Sequence, residues 1–153
     1  MRARLALAVA IVALAGCTST PQATSERDAE AKRFLARPGA AVIYVYRFDV
    51  GSTEMASDDT VLFVDERLIG STLPLTFFRF EVQEGAHLLH GTGHDLGRLK
   101  LETRVGEVYY VMLLAANGVS DFRRVDPETG KRDILRCCSL LENWAPGQRP
   151  LLR

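Results

Sequence analysis

Histidine and cysteine are scarce in this chain, three residues of each, and there is a single tryptophan. A tetrahedral metal site draws three or four such ligands to one point, so one built on histidine would need all three. Beyond residue 15 the longest uninterrupted apolar run is the nine residues Val108 to Ala116. That falls short of the roughly 20 residues a helix needs to cross a bilayer. No block of lysine or arginine interrupts the chain, and its 19 basic residues balance 19 acidic ones. This excludes the electrostatic footprint of a nucleic-acid binder and a polybasic membrane contact. No Gly-x-Ser-x-Gly elbow exists for a serine nucleophile. What remains, 47 % hydrophobic and 25 % charged, is ordinary globular material able to build a core.

The N-terminus has a different character. Arg2 and Arg4 precede an 11-residue apolar stretch, Leu5 to Ala15, whose end is Leu14-Ala15-Gly16-Cys17. A positive start, a short apolar centre and a small-residue exit make a secretory signal and not a fold element. The final four residues resemble the lipobox of bacterial lipoproteins. That resemblance implies cleavage before Cys17, a diacylglycerol on its thiol and an N-acyl chain (palmitate or a similar fatty acid) on its new amino group. These covalent chains are the only cofactor-like groups expected, and the membrane becomes a partner through them. Thr18 stands where a retention signal would have aspartate, so analogy with enterobacterial sorting points to the periplasmic leaflet of the outer membrane. Residues 1–16 are then the signal. The mature chain has 137 residues, a natural size for one domain, with 17 basic and 19 acidic side chains.

After Cys17, Thr18 to Thr24 is small, polar and proline-interrupted, the composition of a flexible tether. Fully extended it reaches at most ~25 Å. Ser25 is a helix cap with acidic residues behind it, and the helix is expected to run to about Ala36 before Pro38-Gly39 stops it. Residues 17–37 therefore read as lipidated cysteine, tether and short helix, and residues 38–153 as a β domain with a C-terminal tail.

In that domain Val42, Tyr44, Tyr46 and Phe48 share one strand face. Thr60 to Val64 and Arg67 to Ser71 form a hairpin around Asp65-Glu66. Thr76 to Val82 alternates, with Phe78, Phe80 and Val82 facing one way and Phe77, Arg79 and Glu81 the other. Ala86 to His90, Leu99 to Glu102, Val108 to Ala115, Val119 to Val125 and Arg132 to Arg136 complete the strands. Asp126 to Gly130 is a turn and Cys138 to Asn143 one helical turn. Short strands at about ten-residue spacing predict an all-β fold, a sandwich or a small barrel, and the sandwich is expected as antiparallel with about seven to nine strands.

Four blocks carry a family likeness: Ala41 to Arg47 (AVIYVYR), Val64 to Gly70 (VDERLIG), Gln83 to His87 (QEGAH) and Gly106 to Val111 (GEVYYV). In this order they resemble a family of bacterial lipoproteins catalogued as domain of unknown function 2846. Glu66 stands where that family has glycine in the hairpin turn, and Glu84 where it has proline. Val61 to Leu89 is also similar to PEGA domains, with Leu73-Pro74-Leu75 a loose fit to their pattern. The resemblance implies a β-sandwich envelope lipoprotein without assigned catalytic residues.

Candidate sites are few. His87, His90 and His94, with Asp95, are the weak metal candidates. Residues three apart on a strand point to opposite faces, so His87 and His90 are not expected to converge. Gly91 to Gly97 lacks the lysine end of a phosphate loop and leads into a strand. Trp144 is a candidate binding residue at the edge of the fold. Cys137-Cys138 are adjacent, and consecutive Cα atoms lie about 3.8 Å apart, below the ~4.4–6.8 Å that disulfides usually span. A vicinal disulfide is therefore a strained minority option; one buried and one outward thiol is the expected arrangement, with an intermolecular disulfide as the sharper alternative. The leading expectation is a non-catalytic envelope module acting through a protein or cell-wall partner. The alternative is a periplasmic small-ligand or metal-binding module using the His87–Asp95 region, and a hydrolase with an unrecognised site ranks third.

Overall fold

A computed structural model describes residues 20–48, 60–91, 97–116 and 119–142. Cys17, His94, Asp95 and Trp144 lie outside these residues. These residues are mostly β, with two helices and two sheets among them. In order the elements are α1 (Ser25–Ala31), β1 (Ala41–Arg47), β2 (Thr60–Val64), β3 (Arg67–Thr72), β4 (Thr76–Val82), β5 (Gly85–His90), β6 (Leu99–Thr103), β7 (Val108–Ala116), β8 (Val119–Val125), α2 (Pro127–Cys137) and β9 (Ser139–Leu140).

One sheet has the order β8-β7-β1-β4-β9 and the other β3-β2-β5-β6. Ile43, Val45, Phe78, Phe80, Val111 and Leu113 from the first sheet share a core with Leu62, Val64, Ile69, Leu89 and Leu101 from the second. The opposite face of the first sheet is not solvated. Val42, Tyr44, Tyr46, Phe77 and Tyr110 form a second core there with Ala31 of α1 and Ile134 of α2. Hence all seven residues of β1 are buried, as a strand covered on both faces must be, and its near-continuous apolar run is the sequence consequence.

Several expectations need correction. The sheets are not wholly antiparallel, because β1 pairs parallel with β7 and β4 with β9. Arg132 to Arg136 is not a strand but part of α2, and the stretch before it is no turn. Asp126 caps that helix through Oδ1, which accepts the Thr129 N–H at 2.9 Å, and Pro127 occupies its first turn, where a missing N–H costs nothing. Glycine at 130 lets the helix lie directly on the Tyr110 ring, with which a Cβ would collide. The expected helical turn after Cys138 is instead β9, held by Ser139 N to Leu75 O at 3.0 Å and Leu141 N to Phe77 O at 2.8 Å.

At the other end, α1 is capped by Thr24 and not by Ser25, and it ends at Ala31. The tether is shorter than its composition suggests. Ala23 N–H bonds to Leu140 O at 2.9 Å and Glu142 N–H to Pro21 O at 2.8 Å, so Pro21 to Ala23 runs along the edge at β9. Cys137 and Cys138 are joined to each other in a vicinal disulfide, Cα to Cα 3.7 Å. The backbone changes there from helical to extended (Cys138 φ −120°, ψ 143°), which brings together two side chains that a regular strand would point apart.

Candidate functional site

His87 and His90 both lie on β5 but serve separate neighbours. His87 Nδ1 is 2.6 Å from Asp65 Oδ2 and Nε2 is 2.9 Å from the Gln83 carbonyl. Asp65 Oδ1 also accepts the Leu88 N–H at 2.9 Å. Asp65 and Glu66 both have positive φ, 49° and 61°, the conformation of a two-residue hairpin turn matched to strand twist. His87 therefore staples that turn to β5. His90 stacks on Phe63, ring centroids 5.0 Å apart, and its Nδ1 is 2.8 Å from Gly91 O. The two histidines do not converge, and no group of three or more His, Cys, Asp or Glu among the described residues could hold a metal ion.

The structure instead assembles two arrangements that sequence reading did not bring together. The first is the aromatic layer under the helices. All four tyrosines of the chain are buried, Tyr44, Tyr46 and Tyr110 in this layer and Tyr109 in the core between the sheets. Tyr44 O–H donates to Ala31 O at 2.6 Å and Tyr46 O–H to Asp133 Oδ2 at 2.9 Å. Tyr109 O–H donates to Glu107 Oε2 at 2.6 Å and accepts the Arg104 N–H. Burial pushes every one of the four phenols above the usual 10. For Tyr46 the Asp133 carboxylate adds to it, for Tyr109 Glu107 does, and for Tyr44 the Arg79 guanidinium works against it.

The second is a cavity of about 240 Å³ between α1, the loop after it, β4 and β9, lined by Arg27, Glu30, Leu35, Arg37, Arg79 and Leu140 among others. Arg37 Nε lies 3.1 Å and Arg79 Nη2 3.4 Å from the same oxygen, Oε1 of Glu81. Arg27 pairs with Glu142 and Glu30 with Arg33. The loop wall is fixed by Phe34, whose ring packs on Tyr44 at 5.3 Å and on Tyr110 at 5.9 Å. Arg79 and Glu81 were legible as the polar face of β4. What no local pattern shows is that the chain after α1 folds back over that face.

The chain is similar to an uncharacterised protein of Haemophilus influenzae, 26 % identical over 139 residues that span 86 % of this chain and 80 % of the relative. No family model matches it.

Proposed function

We propose that this protein is a lipid-anchored, periplasm-facing envelope lipoprotein on the outer membrane, of the kind its blocks resemble, and that it acts as a non-catalytic interaction or structural module. The observation that carries the reading is Leu14-Ala15-Gly16-Cys17 at the end of an 11-residue apolar run behind two arginines. The two sheets sharing one core are, in this reading, the β-sandwich of such a module, extended by a helical layer on one face.

The docked N-terminal segment sharpens it. With Pro21 to Ala23 bonded along β9 and Thr20 Oγ1 placed 3.1 Å from where a Cβ on Gly70 would stand, only the link from Cys17 to Thr20 separates anchor from body. Fully extended that link spans about 10 Å. A module so tethered works at the membrane surface on partners that come to it, a neighbouring envelope protein or the cell wall. Crosslinking in intact cells followed by mass spectrometry tests this. Crosslinks from exposed lysines such as Lys100 to a defined envelope protein or to wall peptide are expected. Crosslinks confined to cytoplasmic proteins would overturn it.

A further inference from the structure

We propose that Cys137 and Cys138 form a redox-active pair that accepts two electrons from a thiol donor, with Cys137 Sγ as the sulfur attacked. The first reason is what their disulfide encloses. A structural disulfide stabilises a fold by closing a loop of chain, more for a longer loop. This one joins sequence neighbours and closes no loop, so it does little to hold the fold together. The single peptide bond between the residues also sets their Cα atoms 3.7 Å apart. That is below the ~4.4–6.8 Å that disulfides usually span, a departure that makes such a bond easier to reduce. Easily reduced disulfides are the labile, regulatory or catalytic ones.

The second reason is the unequal setting of the two sulfurs. Cys137, the last residue of α2, is partly exposed, while Cys138 is only 3 % exposed. An incoming thiolate therefore reaches Cys137, and Cys138 Sγ is the leaving group.

The third is that the fold accommodates the leaving group. Cys138 Sγ lies 3.8 Å from the Arg47 carbonyl oxygen, an acceptor that a disulfide sulfur cannot use and a thiol S–H can. The junction between α2 and β9 is held by backbone bonds that involve neither sulfur. Cys138 N–H donates to Ile134 O and Ser139 N–H to Leu75 O, both at 3.0 Å. Opening the disulfide leaves these bonds in place.

The reaction is two exchanges. A first thiol attacks Cys137 Sγ, the bond between the two cysteines breaks, and the thiol's proton ends on Cys138 Sγ, which donates to Arg47 O. A second thiol attacks the donor sulfur of the mixed disulfide on Cys137, which releases the donor as its own disulfide and leaves Cys137 as a thiol. The protein gains two electrons and two protons, and two donor thiols are oxidised to one disulfide. A small monothiol and a protein dithiol share this chemistry.

The test uses the full chain purified in detergent without reductant. It is read by mass spectrometry on the peptide that carries Cys137 and Cys138, so it does not depend on what Cys17 carries. The folded protein is incubated with millimolar reduced glutathione or with reduced thioredoxin, then quenched with N-ethylmaleimide. No alkylation of the pair is expected before reductant and alkylation of both cysteines after it, with far-ultraviolet dichroism unchanged and the disulfide restored by oxidised glutathione. Faster reduction by glutathione assigns a small monothiol as donor, and faster reduction by thioredoxin a protein dithiol. In the reduced chain, limiting N-ethylmaleimide is expected to label Cys137 at least about tenfold faster than the buried Cys138. Thiols that oxidised glutathione does not join to each other, a disulfide that opens only when the fold is lost, or equal labelling of the two cysteines would overturn the proposal.

Discussion

Tyr44 and Tyr110 lie stacked, ring centroids 5.3 Å apart and planes 16° from parallel, but their hydroxyls have opposite fates. That of Tyr44 bonds Ala31 O, tying β1 to the end of α1. That of Tyr110 is buried with no hydrogen-bond partner among the described residues. A buried polar group without a partner costs about 1–3 kcal/mol, and an ordinary bond contributes about 1. Tyr110→Phe is therefore expected to stabilise the fold by about 1 kcal/mol and Tyr44→Phe to destabilise it by a similar amount. Urea denaturation of the two variants measures both. Equal losses in the two would show that Tyr110 does have a partner.

The raised phenols carry a second expectation. Each tyrosine prefers its neutral form more strongly in the folded state than in the unfolded one, where it ionises near 10. The resulting stability is complete below pH 10 and is lost as pH rises through the higher folded values. Absorbance at 295 nm should show no tyrosinate step while the fold persists, then a cooperative rise that coincides with loss of β-sheet dichroism. A gradual titration centred near 10 in folded protein would contradict the burial.

Glu66 sits at φ 61° in the Asp65-Glu66 hairpin turn, a conformation that costs a side chain ~1–2 kcal/mol and glycine almost nothing. Its carboxylate is largely exposed and lies 3.7 Å from His90, a contact of little worth at a surface. Glu66→Gly is expected to raise stability by about 0.5–1 kcal/mol after the entropy of the unfolded chain is counted. Asp65→Gly should go the other way, because it removes the acceptor for His87 and for Leu88 N–H. Thermal melts of the pair check both signs.

Gly130 reverses the usual helix rule. Alanine is ordinarily preferred to glycine within a helix by up to ~1 kcal/mol. Here the added Cβ would strike the Tyr110 ring, itself wedged in the second core. Gly130→Ala is expected to cost about 1–3 kcal/mol, the range for overpacking. A stabilised variant would mean that α2 can slide off the sheet.

How much of this was legible in the residues depended on how local the cause was. The β2–β3 hairpin and β4 read almost to the residue, because β2 and the Phe78-Phe80-Val82 face of β4 alternate against the core between the sheets and Asp65-Glu66 is a turn by length alone. α2 was hidden by its composition. Its buried residues are Gly130 and Ile134, while Leu135 is 60 % exposed, so the apolar stripe is too thin to show a helical period. The signal that could have found it is Asp126-Pro127, a cap followed by proline in the first turn. The parallel pairing of β1 with β7 joins strands more than 60 residues apart and leaves no trace in either. The arginine cavity failed to show for the same reason, since Arg37 and Arg79 meet only when the chain after α1 crosses β4.

The acylation of Cys17 is the claim on which the cellular account rests. Cells fed an alkyne-tagged palmitate, expressing the full chain or its Cys17→Ala variant, provide the direct measurement by mass spectrometry of the purified protein and by membrane fractionation. A chain that begins at Cys17, carries the label on that residue and sediments with membranes is expected, with the variant unlabelled and uncleaved there. An unlabelled wild-type chain, or a variant that is still cleaved after Gly16 and fractionates with the outer membrane, would contradict it.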